Sequence, residues 1–236
     1  MMKTEEILTA FDKLVAQTPV KDKEVVESAV EFFNDYFGLK DHPFTQREIG
    51  YLSDFSFALK LDFLLWRSTE DHSVFYQNTP FEFFKNLLKN MDGVHLKLFF
   101  AFVKYIEDRK GKKILCYGDG SGYLSLRLFQ VGYEVTFAEI NKISIAWMKY
   151  YTEKNKLPIS ILDLNQSDVV EEYDVIIIKD VLEHVKEPQN LVEKLKKKGR
   201  DLLISGSSTK QEDWLPMHFE LDLGFLGKDN THEIKL

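Results

Sequence analysis

Residues 113–130 read KILCYGDGSGYLSLRLFQ, and their order decides the fold. A short apolar run, Ile114 to Tyr117, enters a loop with glycines at 118, 120 and 122, and a helical apolar pattern follows at once. Glycine lets backbone approach a ligand closely, and in open α/β sheets ligands sit at the carboxyl end of the first strand. A glycine loop alone is a weak signal. Here the next strand ends at Glu139, about 20 residues on, where a carboxylate can accept both hydroxyls of a ribose.

Outward from this loop the chain alternates short apolar runs with helical patterns, the signature of β-α-β units and a parallel sheet. Five strands are expected, at Lys113–Tyr117, Glu134–Glu139, Ile159–Leu162, Tyr173–Lys179 and Asp201–Ser205. Helices are expected near Leu124–Val131, Ile143–Lys156 and Pro188–Lys198, with a last short strand at Glu233–Leu236. Upstream the texture differs: 15 of the 19 phenylalanines precede residue 111. Val25, Val26, Val30, Phe33 and Phe37 recur at mostly helical spacing before Gly38, and Thr45 with Glu48 and Thr79 with Glu82 match the capping box. A helix from His95 to Asp108 leads into the sheet. The expectation is an α/β fold, a Rossmann-like, mostly parallel sheet flanked by helices over 111–236, with an all-helical N-terminal cap over 1–110.

Composition narrows the classes. The 236 residues carry 31 basic and 38 acidic side chains, so a broad grip on phosphate backbones is not expected and nucleic acid is disfavoured as a partner. The cluster of Lys194, Lys196, Lys197, Lys198 and Arg200 lies at a predicted helix end, where cations complement the dipole. A single cysteine, Cys116, precludes an internal disulfide, and the acidic start MMKTEEIL lacks a secretory apolar run. No apolar stretch approaches the roughly 20 residues of a membrane helix, so a cytoplasmic protein away from membranes is expected.

The loop spacing G-x-G-x-G differs from the dinucleotide fingerprint G-x-G-x-x-G, and Asp119 stands where a pyrophosphate would need cations. A cationic nucleoside cofactor suits the acids Asp119, Glu139, Asp163 and Asp180, and S-adenosylmethionine carries a sulfonium and an ammonium without phosphate. Four stretches, YGDGSG (117–122), AEIN (138–141), LDLN (162–165) and KDVLEHV (179–185), then resemble the motifs of class I S-adenosylmethionine-dependent methyltransferases over roughly Lys113 to Gly206. KDVLEHV is similar to the type 11 and type 12 branches, which methylate small molecules.

The resemblance places Tyr117, Gly118, Asp119, Gly120 and Gly122 around the methionine part of the cofactor. It sets Glu139 on the ribose with Ile140 beside it, Asp163 near the adenine amino group with Leu164 as its backbone neighbour, and Asp180 at the end of the fourth strand. One departure stands out, because the family acid two residues before the first glycine is here Cys116. That residue reads as an inert strand thiol, and its presence keeps a catalytically silent cofactor-binding protein as the rival reading.

Transfer to a hydroxyl of a small acceptor needs in-line positioning and proton removal, which makes His184 the candidate base, with Glu183 beside it. A structural role in orienting the loop before Pro188 is the competing reading of both. The main expectation uses no metal. The alternative adds His218 of LPMHFE to Asp180, Glu183 and His184, because two acids and two imidazoles can form an octahedral site, as in E-x-x-E-H relatives that hold magnesium. His42, His72, His95 and His232 show no ligand spacing. Trp66, Phe75 and Tyr76 lie in a stretch that reads as loop and are candidates for an aromatic pocket over the methyl donor.

Overall fold

Among the described residues, five strands of ordinary length form on mostly apolar runs, four of them largely buried and the third in chain order, at the sheet edge, partly exposed. They are β1 (Lys113–Tyr117), β2 (Glu134–Glu139), β3 (Ser160–Asp163), β4 (Tyr173–Lys179) and β5 (Gly199–Ser205), joined by a short β6 (Thr231–Glu233). The computed structural model describes residues 22–39, 43, 72–79, 83, 86–87, 93–205, 219, 224 and 230–234. The strand order is β3-β2-β1-β4-β5-β6 and every pairing is parallel. The order therefore runs outward in both directions from β1 and β4. That reversal opens a crevice at the carboxyl ends of these two strands.

The helices α4 (Tyr123–Gln130), α5 (Lys142–Asn155) and α6 (Pro188–Lys196) connect the strands, and Pro188 sits at the first helical position, where a missing N–H costs nothing. Two apolar clusters cover the sheet. One holds Leu115, Ile176, Ile178 and Leu202 with Leu182, Val192 and Leu195. The other holds Ile114, Cys116, Phe137 and Ile177 with Trp147 and Met148 of α5.

The second cluster also takes in two helices before residue 110, α1 (Asp22–Tyr36) and α3 (Gly93–Asp108), whereas α2 (His72–Asn78) lies against α5. Val25, Phe32 and Phe33 of α1 and Leu98, Phe102 and Ile106 of α3 pack into it directly. Trp147 is the hub, fully buried, with the Phe32 and Phe83 rings each 5.7 Å from its own. No described helix is long and apolar enough to cross a membrane.

Four expectations are corrected. The buried stripe of α1 is Val25, Ala29, Phe32 and Phe33, whereas Phe37 lies beyond the helix and stays 42% exposed. The stretch containing Phe75 and Tyr76 is helical, because burial of Phe75 and tertiary bonds outweigh its polar composition. β5 starts two residues early at Gly199, which pairs with Tyr173. β6 ends at Glu233 instead of starting there, and it joins as a parallel edge through Leu202, Leu203 and Ile204. The capping boxes at Thr45 and at Glu82, and Trp66, Phe81, Phe84, Leu88, His42 and His218, lie outside the described residues.

Candidate active site

A cavity of about 700 Å³ lies at the crevice. Tyr117, Gly118 and Gly120 from the end of β1 form one wall, Glu139, Ile140 and Leu164 the next, and Asp180 and His184 the far side. These eight are sequence-predicted site residues that the fold brings together. The volume falls within the roughly 300–1,000 Å³ of small-molecule sites.

The loop is shaped by left-handed backbone at Gly118 and Gly122, with φ of 69° and 75°. A Cβ at Gly118 would lie 2.6 Å from Cγ2 of Val181, and one at Gly122 would run into Met148. The loop amides converge on Glu139. Its Oε2 accepts from Gly120 N–H at 2.7 Å, and its Oε1 accepts from the Ile140 and Asn141 amides at 2.7 and 3.0 Å. Burial pushes this carboxyl up to about 7 against those three bonds. A carboxylate offers about four lone-pair sites. Three are filled, which leaves acceptor capacity on Oε2 for a hydroxyl in the cavity. The nearby Tyr117 phenol is pushed up to about 12 by burial and by the Glu139 charge.

Four predicted residues are placed elsewhere. Asp119 turns away from the cavity and into the start of α4, where its carboxylate accepts from Leu124 and Ser125 amides at 3.3 and 2.7 Å. It satisfies two orphan donors of that helix, and its carboxyl is pushed up to about 6 by the low-dielectric surroundings, opposed by the Ser125 bonds. Gly122 is the N-cap of α4, packed on Met148 and off the cavity wall. Asp163 closes a local turn, its Oδ1 accepting from the Asn165 amide and side chain at 2.9 and 2.8 Å, so that Leu164, its neighbour, reaches the cavity instead. Glu183 is 3% exposed inside the short 3-10 turn Leu182–His184 and lines no part of the cavity. Cys116 is fully buried, and burial pushes its thiol well above the ordinary range, which keeps it neutral.

Asp180 adopts φ of 51°, a left-handed conformation that aspartate tolerates better than most residues, and its Oδ2 accepts from Lys179 Nζ at 2.8 Å. The turn that follows buries Leu182 completely and thereby carries His184 to the cavity. There the imidazole meets the Tyr76 ring at a centroid distance of 4.4 Å and an angle of 48°. Among the described residues no three His, Cys, Asp or Glu side chains gather as a metal site.

Tyr76, a candidate for the aromatic pocket, does line the cavity, from a helix instead of a loop. Ser73, Asn86, Ser144, Lys186 and Phe219 carry no motif and escape sequence reasoning. Phe219 is tied in by its amide, which donates to the Glu183 carbonyl at 2.7 Å. Asn141, the last letter of AEIN, also lines the cavity and caps α5, a role that the motif does not assign.

The parallel sheet, its switch-point cavity and the carboxylate ending β2 define a Rossmann-like domain of the class I S-adenosylmethionine-dependent methyltransferases. Within that class the chain belongs to the TehB family, whose model, described as tellurite resistance protein TehB, matches residues 80–230. It is 28% identical over 123 residues to the ubiquinone biosynthesis O-methyltransferase of Proteus mirabilis (strain HI4320), a match covering 48% of this chain and 50% of that protein. It is 34% identical over 111 residues to a probable S-adenosyl-L-methionine-dependent methyltransferase TehB of Haemophilus influenzae, covering 41% of this chain and 37% of that one. The crystal structure of TehB from Haemophilus influenzae aligns at 30% identity with a TM-score of 0.38, over 43% of this chain and 38% of that chain. The chain thus spans about half the length, or less, of these relatives.

Proposed function

We propose that the chain transfers a methyl group from S-adenosylmethionine to an oxygen or nitrogen atom of a small acceptor, residues 1–110 capping a catalytic unit of 111–236 in the cytoplasm. The observation that carries this reading is the cavity at the switch point, with the buried Glu139 carboxylate on one side and the His184 imidazole on the other. Glu139 suits the ribose, Gly118 and Gly120 admit the amino-acid end to the backbone, and Leu164 suits the adenine face. When bound, S-adenosylmethionine supplies a methyl group already activated by the sulfonium. The protein then has to hold the acceptor in line, exclude water and take up a proton.

This reading assigns that base to His184, and its place in the cavity lining supports the assignment. Tyr76 and Phe219 offer flat apolar surface to a planar acceptor, and the relatives named as O-methyltransferases favour oxygen as the attacked atom. A second reading, a silent cofactor-binding protein, draws on the neutral Cys116 and on Asp119 facing α4 instead of the cavity.

The test is calorimetric titration of ligand-free protein with S-adenosylhomocysteine, with EDTA and then with magnesium, followed by transfer of labelled methyl to phenolic acceptors. Micromolar binding indifferent to metal, with transfer, is expected. Binding without transfer to any acceptor favours the silent reading, and absence of binding sinks both.

A further inference from the structure

Asn141 is 5% exposed, yet every hydrogen-bonding group on its side chain is in use. Oδ1 accepts from the Ile143 and Ser144 amides, both at 3.0 Å, and so caps α5. Nδ2 donates to the Tyr76 carbonyl at 2.8 Å and the Thr79 carbonyl at 2.9 Å. Two donors and two lone pairs are all that a carboxamide has. The capping half would be served as well by Asp, Ser or Thr. Of the usual caps, only Asn also holds two carbonyls of the segment 65 and 62 residues away.

Its position links two parts of the site. The Asn141 amide donates to Glu139 Oε1, the carboxylate at the proposed ribose subsite. Tyr76, gripped by its carbonyl, lays its ring against His184. Nearby, Lys142 Nζ donates to Asn78 Oδ1 at 3.0 Å on the exposed side of the same junction. We infer that Asn141 is a positioning residue: it latches α2 onto the cofactor edge of the sheet and, through Tyr76, fixes the orientation of the His184 ring. The inference rests on the reading of His184 as the base. It adds that the base is held by the cap helix, and that the cap is held at the cofactor subsite.

The full chain is compared as wild type, Asn141→Asp, Asn141→Ser, Tyr76→Phe and Tyr76→Ala. Both Asn141 variants keep an N-cap oxygen for α5 and lack the two donors to α2. Two quantities are read: hydrogen exchange of the backbone amides over 73–79, and the ring-proton NMR resonance of His184, assigned by its loss in His184→Gln. In both Asn141 variants these amides are expected to exchange about tenfold faster or more, with unfolding of the sheet unchanged. The His184 resonance, shifted by the Tyr76 ring in wild type, moves to the position it takes in Tyr76→Ala. Tyr76→Phe keeps both the ring and the carbonyl, and matches wild type in both readouts.

Wild-type exchange and a wild-type His184 resonance in Asn141→Ser overturn the inference. A change confined to Asn141→Asp overturns it too, since that would be charge repulsion against two carbonyls and not loss of the latch. Titration with S-adenosylhomocysteine runs alongside. Failure of wild type to bind it removes the cofactor reading, while exchange and ring shift still decide the latch.

Discussion

Replacing Glu139 with Gln tests the electrostatics of the site most directly, because it removes a charge while keeping the shape. Burial holds the Glu139 carboxyl at about 7 instead of 4.5. At about 1.4 kcal/mol per tenfold change in proton affinity, that difference corresponds to about 3 kcal/mol. The sign follows from proton linkage. Between about pH 4.5 and 7 the folded protein binds this proton more tightly than the unfolded chain, so the contribution is fully present below 4.5 and is lost as pH rises through 7. Urea denaturation of wild type and Glu139→Gln at pH 5 and pH 8 isolates the group, since Asp119 and the other carboxyls are common to both. The variant loses the acceptor facing Gly120 N–H, a cost of about 1–3 kcal/mol. Wild type should therefore be favoured over the variant by about 2.5 kcal/mol more at pH 5 than at pH 8, most of the full contribution. S-adenosylhomocysteine affinity of the variant should fall about tenfold to a hundredfold at pH 8, the loss of one charge-assisted bond. An identical stability gap at the two pH values would refute the buried-carboxylate account.

Four further outcomes are expected. Gly118→Ala forces a side chain into left-handed backbone and a Cβ to 2.6 Å from Val181, so it should cost about 2 kcal/mol in urea unfolding and abolish calorimetric binding of S-adenosylhomocysteine. Asp180→Asn tolerates the same φ but removes the charge of the carboxylate that accepts from Lys179; it should weaken cofactor or acceptor binding with the far-UV spectrum unchanged. His184→Ala should lower single-turnover methyl transfer by about 10² to 10⁴ while S-adenosylhomocysteine affinity stays at the wild-type value, and unchanged turnover would remove it as base. Trp147→Ala should destabilise by about 3–5 kcal/mol, because the indole is fully buried among Phe32, Phe83 and Tyr151 and donates to the Ser121 carbonyl at 3.1 Å.

What could be read from the sequence was whatever is dictated locally. β1, β2 and β4 fall on the expected residues because each is a bounded apolar run buried on both faces. The start of β5 was missed because Gly199 and Arg200 have no strand character of their own. Gly199 is placed by Tyr173 across the ladder and by Ile176, whose Cγ1 would lie 2.8 Å from an added Cβ. α2 was misread for a similar reason. Its backbone is stabilised by Asn141, more than 60 residues later, and by burial of Phe75, neither of which leaves a periodic trace over seven residues. Eight of the twelve expected site residues reach the cavity; the others, Asp119, Gly122, Asp163 and Glu183, share motifs with residues that do. A motif fixes where the backbone goes. Which way a carboxylate turns depends on the nearest unsatisfied amides, and for Asp119 those belong to α4.

That turn has a chemical consequence for ligand choice. In dinucleotide-binding sheets the helix after the first strand offers its free N-terminal amides to a pyrophosphate. Here Asp119 already fills the amides of Leu124 and Ser125, so a phosphate at the same place would meet a carboxylate instead of donors. The acid expected two residues before the first glycine is replaced by a neutral, buried Cys116, and the nearest negative charge moves to Asp119, on the helix side of the loop. The Asp119 charge adds to the cost of ionising Glu139. A ligand with positive charge lowers that cost and a ligand with phosphate increases it. The loop is thereby closed to nicotinamide dinucleotides and suited to a sulfonium nucleoside, on grounds independent of its glycine spacing.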